Sequence, residues 1–415
     1  MKNKSVYILG INFKPELTGI SNYTTEMCQW LVENQIKCTV ITAYPHYPEW
    51  NIFSSHKKNS LLFSKEKDST GYLTIYRCPI LIYGKTSGLS RIITEISFFL
   101  SSALMLFYLL FKTKPNFIWT VSPSQISVIN GIIFSKLKRI PIYLHLQDLQ
   151  FDAAIQLGII KNHFINSIVK KLDKVILNNV SSISTISEKM AEKLKHKTKN
   201  EITIFRNWVN TMDFYPLEKN KKEDVKTSHN LPQNSIIIMY SGSLGEKQGI
   251  DIMIEVAKHF QTNKDIIFII SSTGPYWEKL KLDADKEQLT NIVFKKLSPK
   301  NQLNEFLNIA DIHLVLQKEE ATDLVLPSKI LPILSIDGFL IVQSTKNSEL
   351  YSMLHQKMKG SIIEPNNSEK MIEAIQLIIP QVDLPYNQNN RNLAELHFEK
   401  DKILQDYFSN KFLIS

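Results

Sequence analysis

Cysteine is scarce in this chain. Cys28, Cys38 and Cys78 are three among 415 residues, all in the first half, with no CxxC pair and no histidine cluster beside them. This argues against a disulfide framework or a zinc site and for buried thiols in a reducing compartment. Other signatures are missing too. There is no G-x-x-x-x-G-K-[ST], which disfavours a nucleoside-triphosphatase P-loop, and no G-x-G-x-x-G, which weakens a nicotinamide reading. No zinc finger, RNP-type motif or helix-turn-helix signature is present, so nucleic acid is not an expected partner. Neither a solenoid repeat nor a low-complexity tract appears. The start Met1-Lys2-Asn3-Lys4 mimics the basic end of a leader. The apolar run after it is short and leads into Asn12-Phe13-Lys14-Pro15-Glu16, so a strand is expected rather than a signal peptide.

What is present fits an ordinary globular protein of two domains. The net charge of +9 is unevenly placed. Residues 1–210 hold 26 Lys+Arg against 13 Asp+Glu, whereas residues 211–415 hold 23 against 27. The basic half suits an anionic surface, and lipid fits better than nucleic acid. Ile92 to Phe111 is long and apolar enough to span a bilayer, with Arg91, Lys112 and Lys114 at its ends. Glu95 lies inside it and strand-like runs flank it, so a core or interfacial helix is expected instead.

Apolar β-branched runs alternate with helical spacing throughout. The runs at 5–12, 37–43, 73–79, 116–121, 141–147, 181–186 and 201–206 read as strands in the first half. Those at 235–241, 265–272, 291–296, 311–316, 338–343 and 360–364 do so in the second. Ile20, Tyr23, Met27, Trp30 and Leu31 stripe a helix beginning near Ser21. Residues 218–233 read as a solvated loop, and Asn387 to Phe412 as one polar C-terminal helix. The alternation implies an α/β fold with parallel sheets, arranged as two Rossmann-like domains facing a shared cleft.

Ligands of such sheets sit beyond the carboxyl ends of the strands, and the candidate residues gather there. Ser241-Gly242-Ser243-Leu244-Gly245-Glu246-Lys247-Gln248-Gly249 follows one strand-like run and reads as a phosphate cradle, with Lys247 supplying charge and a helix opening near Gly249. Its bland alternative is an exposed loop lysine. Leu326-Pro327-Ser328-Lys329 reads as a second anion site at a helix start, or as an ordinary N-terminus. Arg206 could pair a phosphate or lie on the surface. His145 and Asp148 at a strand end could orient the reacting centre, or could be a core histidine and a capping aspartate. Glu16 and Gly19 follow the first strand. Tyr44, His46, Tyr47 and Trp50, in an aromatic-proline loop, could stack on sugars, reach lipid or pack beneath the loop.

The segments 10–24, 43–50, 145–148, 241–249 and 325–329, in that order, resemble the GT4-type retaining glycosyltransferases of bacterial surface polysaccharide synthesis. The nearest branch is the fucosyl- and N-acetylfucosaminyltransferases of colanic-acid, capsule and O-antigen assembly. The resemblance implies a GT-B fold with two Rossmann-like domains around a central cleft. Residues 1–210 would bind the acceptor, 211–385 the nucleotide sugar, and 386–415 would return to the first domain. It implies transfer of a sugar, such as N-acetyl-L-fucosamine, from a UDP- or GDP-sugar to a lipid-linked saccharide. Retention, no metal and no cofactor are implied, with the protein cytoplasmic and peripheral at the inner membrane face.

By resemblance His145, Asp148 and Lys247 are catalytic. Gly19, Arg206, Ser243, Gly245, Glu246, Asp323, Leu326, Ser328 and Lys329 bind donor. Glu16, Tyr44, His46, Tyr47 and Trp50 face the acceptor. The chain departs from the family in two places. Leu324 and Pro332 stand where two glutamates are usual, with Glu319, Glu320 or Asp323 nearby, and Ser243 stands near the usual phosphate-turn arginine. A GT-B sugar-nucleotide 2-epimerase and a non-catalytic sugar-nucleotide-binding scaffold are the alternatives.

Overall fold

The computed structural model describes residues 4–16, 19–83, 88–152, 162–242, 244, 248–319, 327–382 and 388–411. The chain divides into two units, residues 1–206 with 404–415, and residues 207–403. Each is an open sheet with helices, as the alternating pattern requires.

In the first unit the strands are β1 (Ser5–Leu9), β2 (Lys37–Ala43), β3 (Ser64–Lys67), β4 (Leu73–Cys78), β5 (Phe117–Val121), β6 (Ile142–Leu146), β7 (Ser182–Thr185) and β8 (Ile202–Ile204). The helices are α1 (Ile20–Glu33), α2 (Gly88–Leu109), α3 (Val128–Lys138), α4 (His163–Asn178) and α5 (Glu188–Lys195). The sheet order is β3-β4-β2-β1-β5-β6-β7-β8. β1 pairs in parallel with both β2 and β5, so strand order reverses there and opens a crevice at its carboxyl end. All five residues of β5 are buried, which explains why it reads as an unbroken apolar run.

Sequence did not foresee β3. It is short and charged, Ser-Lys-Glu-Lys, and runs antiparallel to β4 at the sheet edge. Such a strand blunts the edge against pairing with other chains. Glu66 on it accepts a hydrogen bond from buried Arg77 at 2.9 Å.

The second unit carries β9 (Ile236–Ser241), β10 (Ile266–Ser271), β11 (Ile292–Lys295), β12 (Ile312–Val315), β13 (Phe339–Gln343) and β14 (Gly360–Ile363). Its helices are α6 (Lys219–Ser228), α7 (Ile252–His259), α8 (Pro275–Lys286), α9 (Lys300–Asn308), α10 (Ile330–Ser335), α11 (Glu349–Leu354), α12 (Ser368–Ile378) and α13 (Asn389–His397). The order β11-β10-β9-β12-β13-β14 places the reversal at β9 and β12. The last helix, α14, spans Lys400–Lys411. From Leu404 onward it belongs to the first unit, where Tyr407 and Phe408 pack on Trp119 with ring centroids 5.5 and 5.8 Å away.

Three expectations need correction. The stretch 218–233 contains α6, because Lys226 turns inward and donates to the Ser235 carbonyl at 2.8 Å. The polar C-terminal helix is two helices, interrupted where Glu399 bridges Val209. The helix expected near Gly249 begins regularly only at Ile252. The segment beginning at Ile92 is half of an amphipathic helix rather than a span, since Thr94, Phe98, Ser102, Met105, Leu106 and Leu109 of α2 are buried.

Candidate functional site

In the first unit, Gly19 caps α1 at φ 60°, and a Cβ there would meet nothing within 4 Å. The position therefore tolerates close approach of a ligand, and any side chain there would be strained. Next to it, Glu16 is buried. Its Oε1 accepts from the backbone N–H of His46 at 2.8 Å and of Tyr47 at 2.9 Å. Its Oε2 accepts from Asn12 at 2.9 Å. Tyr44 is buried and donates its hydroxyl to the Leu62 carbonyl at 2.9 Å. The buried His46 ring bonds the Tyr44 carbonyl through Nδ1 at 2.9 Å. These three side chains, expected to face acceptor, instead hold the aromatic-proline loop in shape. Buried polar groups are spent on partners, and these have theirs inside the protein. Tyr47 and Trp50 stay partly exposed, with Arg91 of α2 over the Trp50 ring at 5.1 Å. Of the loop side chains expected to face acceptor, these two remain accessible.

His145 ends β6 among the rings of Trp119 and Phe205. The Gln147 amide nitrogen, which can only donate, meets Nε2 at 3.0 Å. Nδ1 therefore carries the proton and faces Ser184 Oγ at 3.0 Å. Burial pushes the imidazole down to about 3, so it is neutral at physiological pH. It acts as a fixed neutral group and not as an imidazolium. Asp148 is half-buried, with Ser122 Oγ at 3.4 Å. Arg206 is paired with Glu188 at 3.1 Å.

Glu95 was read only as a charge interrupting an apolar run. Gln150 donates to its Oε1 at 2.6 Å, and Asp148 lies close enough to repel it. Burial above all pushes its carboxyl up to about 7. Because the folded value exceeds the unfolded one, stability is lost as pH rises from about 4.5 through 7. Glu95→Gln is therefore expected to stabilise the protein by about 2 kcal/mol at about pH 8, with most of the gain gone at about pH 5. Denaturant titration at both values checks this. An equal gain at both would mean that ionisation of Glu95 is not the cause.

In the second unit the phosphate-cradle candidates follow β9. Ser243, Gly245, Glu246, Lys247, Asp323 and Leu326 lie outside the described residues. The flanks are described. Gly242, at φ 138°, leaves room for Lys329, whose Nζ would stand 3.4 Å from a Cβ placed there. Gly249 at the far end packs against the Lys318 stem and Asn366 Oδ1, each 3.2 Å from such a Cβ. Lys329 Nζ lies 3.7 Å from the Tyr240 ring centroid. It is buried and has no hydrogen-bond partner. Burial pushes it down to about 7.

The helix-dipole account of this segment needs correction. Pro327 precedes α10 and does not open it. The N–H groups of Ile330 and Leu331 are already given to the Pro327 and Ser328 carbonyls, at 3.1 and 3.2 Å. Helix α10 has only six residues. Pro332 costs little there, since the first turn has no helical acceptor for its missing N–H. The charge of Lys329 is the asset, and Ser328 lies partly exposed beside it.

Three further polar side chains lie at this sheet's carboxyl edge. Ser272 Oγ just past β10, Gln317 Nε2 just past β12 and Gln343 at the end of β13 are buried without hydrogen-bond partners. Burial without a partner has no sequence signal. Unsatisfied buried polar atoms are costly, and these lie at the carboxyl ends of β10, β12 and β13, on both sides of the reversal between β9 and β12. Among the described residues no group of three His, Cys, Asp or Glu gathers to hold a metal.

Comparison with known proteins bears on this arrangement. The family description "Glycosyl transferases group 1" matches residues 221–392, which include the Lys329 region. A putative colanic acid biosynthesis glycosyl transferase, WcaI of Escherichia coli K12, is 31% identical over 98% of this chain and 99% of its own. Among solved structures, the sucrose-phosphate synthase of Thermosynechococcus elongatus aligns with TM-score 0.76 at 13% identity, covering 98% of both chains. Anabaena Alr3699/HepE in complex with UDP-glucose aligns with TM-score 0.69 at 13% identity, covering 98% of both chains. These neighbours are GT-B proteins and show the fold.

Proposed function

This chain belongs to the glycosyl transferases group 1 family, and we propose that its reaction moves a sugar from a nucleoside diphosphate to a saccharide acceptor in surface-polysaccharide synthesis. The observation that carries the donor side is the buried Lys329 ammonium, without a hydrogen-bond partner, beside Gly242 and the Tyr240 ring, with Ser272, Gln317 and Gln343 orphaned at the same sheet's carboxyl edge. A departing diphosphate gathers negative charge. A fixed cation in a dry site stabilises that charge without reorganising. Lys247 is the second cation of this reading, and Arg206 a third. The neutral His145, its ring nitrogens taken by Gln147 and Ser184, acts through the neighbours it holds in place at the end of β6 and carries no charge of its own.

The acceptor is a lipid-linked saccharide, met by Tyr47 and Trp50, and the sugar a deoxyhexose such as N-acetyl-L-fucosamine, transferred with retention. The relative from Escherichia coli, described as a colanic acid biosynthesis enzyme, supports this setting. The protein works at the inner face of the cell membrane, reached through its basic first half. Calorimetry of the purified protein with UDP and with GDP, without metal, tests the donor side. Tight binding of one base identifies the donor class. Binding of neither would remove the phosphate-cradle reading.

A further inference from the structure

Helix α2 is half core and half unclaimed surface. Phe98, Met105, Leu106 and Leu109 are buried. The opposite side exposes Ile92, Ile96, Leu100, Leu104, Phe107 and Phe111, between 45% and 75% accessible. Their spacing of three and four keeps them on one stripe, which at about 1.5 Å per residue runs roughly 30 Å. Helix α3 packs beside α2, where Asn130 donates to the Phe99 carbonyl at 2.7 Å. It adds exposed Ile133 and Leu137. Large contiguous apolar patches on a soluble fold mark a binding surface.

The outward charge along these two helices is of one sign. Arg91 stands at one end of the stripe. Lys112, Lys114, Lys136, Lys138 and Arg139 belong to the other ends of α2 and α3, which are tied by Lys138 donating to the Lys112 carbonyl at 2.9 Å. Between residues 88 and 139 the sole acidic side chain is Glu95, which turns inward to Gln150. A protein partner would ask for roughly one hydrogen bond per 100–200 Å² of interface. The six stripe residues can make none. A lipid surface needs none, and anionic headgroups match the cations at the stripe's ends. The stripe cannot be a bilayer span, because the other side of the same helix is core.

We propose that the exposed stripe of α2, with Ile133 and Leu137 of α3, lies in the headgroup-acyl boundary of an anionic bilayer, the cations of α2 and α3 resting on its phosphates. This rests on the membrane placement given above and names the surface responsible.

The test uses the full chain and phosphatidylcholine vesicles with and without phosphatidylglycerol, read by co-sedimentation. The parent protein is expected to bind the anionic vesicles, and to bind them less as salt rises. Leu100→Glu, Leu104→Glu and Phe107→Glu combined are expected to lower that binding at least about tenfold. UDP or GDP affinity should stay unchanged, which controls for folding, since the replaced side chains are exposed. Binding of parent and variant alike would overturn this surface while sparing the membrane placement. Failure of the parent to bind would overturn both. If instead the parent is a dimer that the triple variant dissolves, and vesicles bind neither, the stripe is an interface between copies.

Discussion

Replacing Lys329 by methionine is expected to weaken nucleotide binding about a hundredfold while making the empty protein more stable. The two effects share one cause. Methionine fills a similar volume and removes a buried, unpartnered ammonium. Burial lowers the lysine from 10.5 to about 7, and each tenfold in proton affinity is worth about 1.4 kcal/mol. A gain of about 2–4 kcal/mol at about pH 6 follows, after allowing for local relaxation. The sign has a pH signature. The folded value is depressed, so the cost is complete below about 7 and shrinks as pH rises toward 10.5. The stabilising gain from Lys329→Met should shrink over the same range.

Binding shows the mirror image. A phosphate beside Lys329 restores its proton, so the parent should take up a proton on binding UDP above about pH 7. Its affinity should fall by up to about tenfold per pH unit there. Calorimetry in buffers of different ionisation heats measures both. Unchanged affinity in Lys329→Met would show that the ammonium does not meet the diphosphate.

Glu16→Ala should cost about 3–5 kcal/mol, because it strips the buried N–H groups of His46 and Tyr47 of their acceptor. A residue that merely touched acceptor could be removed at little cost in stability. The functional outcome separates the two roles further. Donor affinity should survive, since the orphan atoms of the donor edge are all in the second unit. Transfer should fall because Tyr47 and Trp50 lose their fixed places. Full stability in Glu16→Ala would return Glu16 to the acceptor contacts.

The sheets were legible because their strands are buried on both faces and read as plain apolar runs, β1, β5, β9 and β10 most openly. The charged β3 carried no such signal, since an edge strand is stabilised by its neighbour and not by its own side chains. Helix α6 was hidden by its Lys and Asn content, and only the inward turn of Lys226 explains it. The site was legible as strand ends. Its division of labour was not. Glu16 meets backbone about thirty residues away, and Lys329 meets Gly242 across nearly ninety, relations that spacing along the chain does not encode. Gln317 and Ser272 lacked any motif, and it is their missing partners that distinguish them.

The three cysteines now take on a practical meaning. Cys28, Cys38 and Cys78 are all buried, and burial drives the thiols of Cys38 and Cys78 upward, away from the reactive thiolate. The native thiols of the folded protein are thus expected to react slowly with maleimides. A single cysteine placed at Leu104 would carry a fluorophore or spin label alone, without deleting any native thiol. The probe would report its own depth in a bilayer.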